Sequence, residues 1–277
     1  MGTHSAKPDA IREWILATAR GGHDIDAIVG MMLRSGYERR QARQLVAKAL
    51  DRPGLAVEVS TARSDGLRPR HPEPPALELD GRRIEVSLCV ETPTIRLLEA
   101  LLDDSECEAL IELARPRLDR SLTVDTAGQH TVNTTRTSSG MFFALGETPL
   151  VARIEQRIAA LTELPANHGE GLQILHYLPG QQYEPHFDWF DPAQDGYKVI
   201  TAKGGQRVAS VIIYLNAPAA GGGTQFPRAG ITISARRGSA LYFAYEGGDQ
   251  SSLHAGLPVT AGEKWIATKW LRECPFA

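Results

Sequence analysis

The sequence predicts a mainly β protein with flanking helices: a double-stranded β-helix, or jelly roll, preceded by a small N-terminal helical bundle. From residue 171 onward, short runs rich in β-branched and aromatic residues alternate with glycine and proline turns. Residues 10–50 place apolar side chains at helical spacing instead. Between these two regions, residues 53–80 contain several prolines and few large apolar residues, which is typical of a spacer.

Residues 1–52 are predicted to form a bundle of three short helices. The first spans residues 10–20, the second starts at an Asp24 cap and contains Met31 and Met32, and the third ends near Leu50. The stretch from Met31 faintly resembles ubiquitin-associated modules, which bind protein partners. The alternative is a helical cap that packs on the following domain, because apolar stripes at helical spacing are usually core.

After a linker at residues 53–80, a second domain is predicted over residues 81–277, with helical support from 81 to 170 and a jelly-roll core from 171. The support contains a strand at 84–90 and a helix at 105–118 that begins at a Ser105 N-cap. The predicted core strands are Leu172–Tyr177, 208–214, 231–234, 240–243, 253–259 and 264–271.

Composition excludes several classes of protein. The net charge is −3, with 30 basic and 33 acidic side chains, so a nucleic-acid partner is not expected. The three cysteines are widely spaced and predict neither a disulfide framework nor a zinc ribbon. With no signal-like segment or apolar run of membrane-spanning length, we expect a soluble cytoplasmic protein without membrane contact.

A metal site is predicted from two separated motifs. His186 and Asp188 are two residues apart in a predicted strand, so their side chains point to the same face, while Phe187 points to the other. His254, on a distant strand, provides a second nitrogen ligand. Two histidines and one carboxylate with open positions suit non-haem Fe(II).

Lys264 lies on the strand after His254, in a segment whose neighbours are apolar. An isolated lysine is usually a solvated surface charge, but a buried ammonium group is costly unless it is paired. We therefore expect Lys264 to bind an anion that arrives with a substrate.

Residues 172–271 resemble the catalytic domain of the prolyl 4-hydroxylase family of Fe(II)- and 2-oxoglutarate-dependent oxygenases. Besides the ligand motifs, the resemblance includes Glu106-Cys107, Arg136-Thr137-Ser138-Ser139-Gly140, Tyr177-Leu178-Pro179-Gly180, Arg207-Val208-Ala209-Ser210, Gly221-Gly222-Gly223-Thr224, Gly238-Ser239-Ala240-Leu241 and His254-Ala255-Gly256. The family commonly has Gly-Gly-Glu-Thr where this chain has Gly222-Gly223-Thr224, and threonine where it has Ser210. These departures affect substrate details rather than the ligand residues.

The resemblance implies that His186, Asp188 and His254 are the catalytic iron ligands. It further implies that Lys264 and Tyr177 bind 2-oxoglutarate, that O2 is the other co-substrate, and that ascorbate is a further candidate cofactor. The expected reaction is hydroxylation of a prolyl residue in a peptide or protein, with release of succinate and CO2. Because related halogenases leave the position of Asp188 free for chloride, hydroxylation is favoured.

The predicted substrate contacts are Arg136, Ser138, Tyr183 and Trp189; the alternative for Arg136 is a surface side chain on a polar loop. Residues 192–205 are predicted to be a mobile lid or a long hairpin loop. Three other functions stay open: a hydroxylase of free amino acids or other small molecules, a non-catalytic jelly roll that binds a ligand or metal, and a zinc hydrolase. Neither of the last two requires a buried cation at Lys264.

Overall fold

The computed structural model describes residues 8–23, 25–35, 37, 39–50, 67–120, 123–124, 130–131, 136–194, 196–246 and 248–276. The chain divides into two compact units, Met1–Ser64 and Asp65–Ala277. Six α-helices are described. They are α1 (Pro8–Arg20), α2 (Ile25–Arg34), α3 (Arg39–Ala49), α4 (Asp104–Ala114), α5 (Pro149–Thr162) and α6 (Tyr197–Thr201). None of these helices is both long and apolar enough to span a bilayer.

The first unit contains α1, α2 and α3. One apolar cluster joins side chains of all three helices, because the residues that recur at helical spacing share one face of each helix. Its buried members are Ile15, Ile28, Val29, Met32, Ala42, Val46 and Ala49. The predicted cap Asp24 lies outside the described residues. Partner binding by this unit stays a prediction.

The second unit is built from antiparallel strands. They are β1 (Ala76–Leu79), β2 (Arg82–Val90), β3 (Thr94–Glu99), β4 (Asp119–Arg120), β5 (Thr123–Val124), β6 (His130–Thr131), β7 (Ser139–Phe143), β8 (Leu172–Tyr177), β9 (Tyr183–His186), β10 (Arg207–Tyr214), β11 (Ala220–Gly221), β12 (Thr224–Phe226), β13 (Ile231–Ile233), β14 (Ala240–Ala244), β15 (His254–Gly256), β16 (Val259–Ala261) and β17 (Lys264–Arg272). The predicted core strands are confirmed, with 253–259 split between β15 and β16.

The strands form a nine-stranded sheet in the order β1-β2-β3-β14-β10-β17-β8-β7-β4 and a four-stranded sheet in the order β13-β12-β15-β9. Two further pairs join β11 to β16 and β5 to β6. This confirms the predicted mainly β, jelly-roll-type architecture. The helical support at 81–170 contains α4 and α5, but it also supplies β2, β3 and β7 to the large sheet.

Alternate residues of the central strands face two different apolar cores. On β17, Trp265 and Ala267 pack in the core that includes α4 and α5, whereas Ile266 packs in the core shared by the two sheets. Successive side chains of a strand point to opposite faces, so Lys264, Thr268 and Trp270 lie on the same side as Ile266. This alternation places Lys264 on the inner face, although all nine residues of β17 are buried.

Two sequence-based boundaries are wrong. The N-cap of α4 is Asp103 rather than Ser105: the Asp103 carboxylate accepts a hydrogen bond from the Glu106 backbone N–H at 2.8 Å, and the Glu106 carboxylate accepts one from the Asp103 N–H at 3.1 Å. This reciprocal pair is a capping box, whose Asp-x-x-Glu pattern is readable in the sequence.

The predicted linker extends too far along the chain. Residues 67–80 belong to the second unit, where the Leu67 N–H donates to the Glu273 carbonyl at 2.7 Å and β1 pairs with β2. The buried guanidinium of Arg96 donates to the Pro72 carbonyl at 3.0 Å. Prolines carry carbonyl acceptors even though they lack an N–H, so a proline-rich segment can still be held by hydrogen bonds. Residues 51–66 lie outside the described part of the chain.

Candidate active site

His186, Asp188 and His254 come together at the end of the four-stranded sheet. In the antiparallel pair of β9 and β15, His186 lies directly opposite His254. The Nε2 atoms of His186 and His254 lie 3.7 Å from Oδ1 and Oδ2 of Asp188, respectively. One possible ligand atom from each residue lies within 4.8 Å of the others. Because β9 ends at His186, the convergence comes from cross-strand pairing and not, as predicted, from alternation through Asp188.

Both imidazoles are oriented by backbone carbonyls. Nδ1 of His186 lies 2.8 Å from the Glu184 carbonyl oxygen, and Nδ1 of His254 lies 3.0 Å from that of Ser252. A carbonyl only accepts hydrogen bonds, so each contact places a proton on Nδ1 and leaves the lone pair of Nε2 directed at the cluster. This arrangement is common for metal-binding histidines.

The electrostatics of the cluster also suit a cation. Burial, together with His254, lowers the pKa of His186 to about 3. Burial raises the pKa of Asp188, but the nearby His254 and His186 outweigh it and lower that pKa to about 2. At neutral pH the cluster therefore offers a neutral imidazole and a carboxylate anion, and this set of donors fits non-haem Fe(II).

The surroundings of Asp188 include groups that sequence reasoning missed. The Ser210 hydroxyl donates a hydrogen bond to Oδ2 of Asp188, and Arg207 donates to its backbone carbonyl at 3.4 Å. Arg207 is bound in turn by the buried Glu170 carboxylate at 2.6 Å, which also accepts from Arg272 at 2.7 Å. The available signal is the motif Arg207-Val208-Ala209-Ser210, which resembles the family but does not by itself indicate a role.

Lys264 faces the same cavity and is only 2 % exposed. Burial lowers the pKa of its ammonium to about 8. Within the described ranges, no side chain or carbonyl forms a hydrogen bond or ion pair with Lys264; its Nζ lies 5.4 Å from the ring centre of Tyr177 and 5.9 Å from that of Tyr214. As the sequence predicted, Lys264 is thus a buried cation, and the described residues provide no anion to pair with it.

Tyr177 is the cross-strand neighbour of Lys264, on β8. Its side chain is buried and lines the cavity. The described residues provide no hydrogen-bond partner for its hydroxyl, although a buried tyrosine hydroxyl normally has one. Tyr177 and Lys264 therefore present two unsatisfied polar groups to the same cavity.

Arg136 and Tyr183 form a layer over His186. The Tyr183 ring stacks on the His186 ring with 3.6 Å between centroids, and the Arg136 guanidinium lies 5.0 Å from the Tyr183 ring centre. Arg136 is 4 % exposed and donates to the Gln173 side-chain oxygen at 2.9 Å. The alternative of a surface arginine on a polar loop is therefore wrong.

Two predicted substrate contacts do not lie in the cavity wall. Ser138 is fully buried, and Trp189 is buried with its indole N–H donating to the Asp249 carbonyl at 3.1 Å. Neither lines the cavity, so their positions argue against direct contact with a substrate. Trp270, which was not predicted, does line it.

The predicted lid contains the short helix α6, whose Val199 is 70 % exposed. A plain hairpin loop would contain no helix.

The sequence is similar to those of known proteins. A family model described as the 2OG-Fe(II) oxygenase superfamily matches residues 172–272. Probable prolyl 4-hydroxylase 10 of Arabidopsis thaliana is 41 % identical over 204 residues, which are 65 % of this chain and 69 % of the relative. Probable prolyl 4-hydroxylase 7 of the same plant is 37 % identical over 208 residues, 67 % of this chain and 64 % of the relative.

The fold also matches a solved structure. The viral collagen prolyl hydroxylase of Paramecium Bursaria Chlorella virus-1, in its 2OG complex, is 28 % identical, with a TM-score of 0.51 over 64 % of this chain and 95 % of that chain. This chain thus spans between three fifths and seven tenths of the two plant relatives and nearly all of the viral protein. On these matches, the chain belongs to the prolyl 4-hydroxylase-like family of Fe(II)- and 2-oxoglutarate-dependent oxygenases.

Proposed function

We propose that this Fe(II)- and 2-oxoglutarate-dependent dioxygenase hydroxylates a prolyl residue in a peptide or protein, releasing succinate and CO2. One observation carries the site assignment: the unpaired ammonium of Lys264 lines the same cavity as His186, Asp188 and His254. A metal hydrolase or a non-catalytic jelly roll has no need of that cation, whereas a co-substrate with two carboxylates does.

In this proposal His186, Asp188 and His254 hold the iron, and Lys264 pairs with the distal carboxylate of 2-oxoglutarate. Tyr177 donates its free hydroxyl to the same carboxylate, which would satisfy both buried groups at once. When bound, the iron supplies the oxidative chemistry that converts 2-oxoglutarate to succinate and CO2 and hydroxylates the substrate.

The remaining walls of the cavity are largely apolar. Leu175, Ile212 and Ile266 line it beside the polar groups. An apolar wall strengthens the ionic contact of Lys264 with a carboxylate, because water would otherwise compete for both charges. We therefore assign these three side chains to excluding water around the co-substrate.

On the substrate side, we assign Arg136 and Tyr183 to contact with the peptide. Arg136 is held in place by Gln173 and by the Tyr183 ring, so its side-chain entropy is already reduced before a peptide binds. The family relatives carry prolyl hydroxylase names, which supports a proline-containing peptide over a free amino acid.

The direct test is incubation of the purified protein with Fe(II), 2-oxoglutarate and O2, together with proline-containing peptides or with free proline. We expect a gain of one oxygen on peptidyl proline by mass spectrometry, with succinate formed in equal amount. Oxygen gain on free proline alone would favour the small-molecule alternative. If iron-loaded protein never formed succinate with any substrate, the binding-protein and hydrolase alternatives would gain support.

The same assay with and without ascorbate tests whether ascorbate is a cofactor of the enzyme.

Gly222 gives a prediction about the co-substrate pocket. Its φ is +70°, and a Cβ there would lie 3.2 Å from Cδ of Lys264 and 3.1 Å from Cγ of Pro218. We expect Gly222→Ala to displace the Lys264 stem and to weaken 2-oxoglutarate binding severalfold, measured by calorimetry on Mn(II)-loaded protein. Gly230→Ala is the control, because its φ is +67° and no atom lies within 4 Å of the added Cβ. Equal loss of affinity in both variants would assign the effect to backbone strain.

We also propose that the N-terminal unit docks the protein substrate. Its three helices share a small apolar cluster of their own, which fits a module that could act apart from the active site. Deleting residues 1–52 should reduce turnover of the full protein substrate and leave turnover of a short peptide unchanged. Equal loss on both substrates would instead favour the helical cap.

A further inference from the structure

Two buried hydroxyl groups, those of Ser210 and Tyr245, lie next to the Asp188 carboxylate. Ser210, on β10, is fully buried, and its hydroxyl bonds to Oδ2 of Asp188. The same Ser210 oxygen lies 2.9 Å from the hydroxyl oxygen of Tyr245, which is 5 % exposed and follows β14. Both side chains lie on the inner face of the large sheet, because Ser210 alternates with Ile212 on β10 and Tyr245 packs in the same core as Ile212.

The direction of these hydrogen bonds follows from the chemistry of the groups. An ionised carboxylate only accepts, so the single hydroxyl proton of Ser210 is directed at Asp188. The Ser210 oxygen must then accept from Tyr245, because its own proton is in use. The result is a one-way chain in which Tyr245 donates to Ser210 and Ser210 donates to Asp188. Such chains strengthen each of their bonds.

This chain matters because both carboxylate oxygens face the metal-binding space. Oδ1 lies 3.7 Å from Nε2 of His186, and Oδ2 lies at the same distance from Nε2 of His254. A cation between the two histidines would be within reach of either oxygen. Among the residues that the structure describes, only the Ser210 hydrogen bond distinguishes the two oxygens.

We propose that Ser210 and Tyr245 are positioning residues that keep Oδ2 of Asp188 hydrogen-bonded and leave Oδ1 alone for the metal. This inference rests on the proposed function. A metal with six positions and three single-atom protein ligands keeps three positions open. 2-Oxoglutarate and O2 would both need open positions, so a second oxygen from Asp188 would compete with them.

The serine at this position fits the inference, although the family commonly has threonine. Both side chains carry a hydroxyl on Cβ, so Ser210→Thr keeps the donor, whereas Ser210→Ala removes it. Tyr245→Phe keeps the ring and removes only the hydroxyl at the start of the chain. These three variants separate the hydrogen bond from the packing around it.

The experiment measures Mn(II) affinity first and then 2-oxoglutarate affinity of the Mn(II)-loaded protein, both by calorimetry without O2. For Ser210→Ala we expect Mn(II) affinity within about threefold of wild type. We expect 2-oxoglutarate affinity to be about tenfold or more weaker, the change that corresponds to loss of one hydrogen bond to a charged group. Tyr245→Phe should show a smaller loss of the same kind, and Ser210→Thr should behave as wild type.

Matched controls remove a buried hydroxyl elsewhere. Ser239→Ala deletes a hydroxyl that donates to the Arg236 carbonyl at 2.7 Å, and Tyr242→Phe deletes one that lies 2.8 Å from Nδ1 of His71. Neither control variant should change the affinity for Mn(II) or for 2-oxoglutarate. The inference is overturned if 2-oxoglutarate affinity is unchanged in Ser210→Ala, or if Mn(II) affinity falls while 2-oxoglutarate affinity does not. Failure of the wild-type protein to bind Mn(II) and 2-oxoglutarate would overturn the proposed function instead.

Discussion

Asp188→Ala and His254→Ala are each expected to reduce 2-oxoglutarate turnover to background. Either change leaves two of the three ligands, and loss of Asp188 also removes the anion that balances the charge of a divalent cation. Turnover is measured as succinate formed in the presence of Fe(II) and O2. Retained activity in either variant would falsify the assignment of the iron site.

A second measurement separates loss of metal from loss of folding. A ligand that binds only the folded state stabilises it, by about 2.7 kcal/mol at a concentration one hundred times its Kd. Mn(II) should therefore raise the Tm of the wild-type protein and leave that of Asp188→Ala and His254→Ala unchanged. His71→Ala, which removes a histidine hydrogen-bonded to Tyr242 outside the cluster, should keep the Mn(II)-dependent rise.

The sequence predicts those elements of the fold that depend on patterns among neighbouring residues. The core strands were predictable because β-rich runs end at glycine and proline turns, and α4 was predictable from its apolar spacing. The segment 67–80 was not, because its prolines suggest a spacer while the groups that hold it come from the distant residues Arg96 and Glu273. Such contacts leave no periodic pattern in the sequence.

The same distinction applies to the site. His186, Asp188, His254 and Lys264 were found because few residue types can hold iron or bind a buried anion. Ser210 and Tyr245 were not found, because a serine or tyrosine in an apolar strand is ordinary until its partner is known. The prediction of Ser138 rests on its place in the Arg136-Thr137-Ser138 motif, but its side chain is fully buried and does not line the cavity. Proximity along the chain was therefore a poor guide to contact with the substrate.

Lys264→Met is expected to abolish 2-oxoglutarate binding and at the same time to stabilise the protein without ligand. Burial lowers the pKa of Lys264 from 10.5 to about 8, so at pH 7 the folded state carries a charge in an unfavourable environment. At 1.36 kcal/mol for each pKa unit, removing this charge should raise the free energy of unfolding by up to about 3 kcal/mol. Urea unfolding and calorimetric titration with 2-oxoglutarate measure the two effects.

Lys269→Met is the matched control on the same strand. Lys269 is also buried, but its Nζ donates to the Glu155 carboxylate at 2.6 Å. Its replacement leaves a buried carboxylate without its partner and should cost about 3–5 kcal/mol, while 2-oxoglutarate still binds. If both replacements stabilised the protein, any buried ammonium group would be unfavourable in this fold, whether it is paired with a carboxylate of the protein or binds the anion of a ligand.

The pH dependence of stability gives the sign of the Lys264 effect independently. Because the folded-state pKa is about 8 and the unfolded value is near 10.5, the unfolded state binds more protons between these pH values. The destabilisation is therefore fully present below pH 8 and decreases as pH rises toward 10.5. The stability advantage of Lys264→Met should shrink across that range, and wild-type affinity for 2-oxoglutarate should fall as the ammonium loses its proton. An advantage that stays constant with pH would show that Lys264 destabilises the fold through packing and not through its charge.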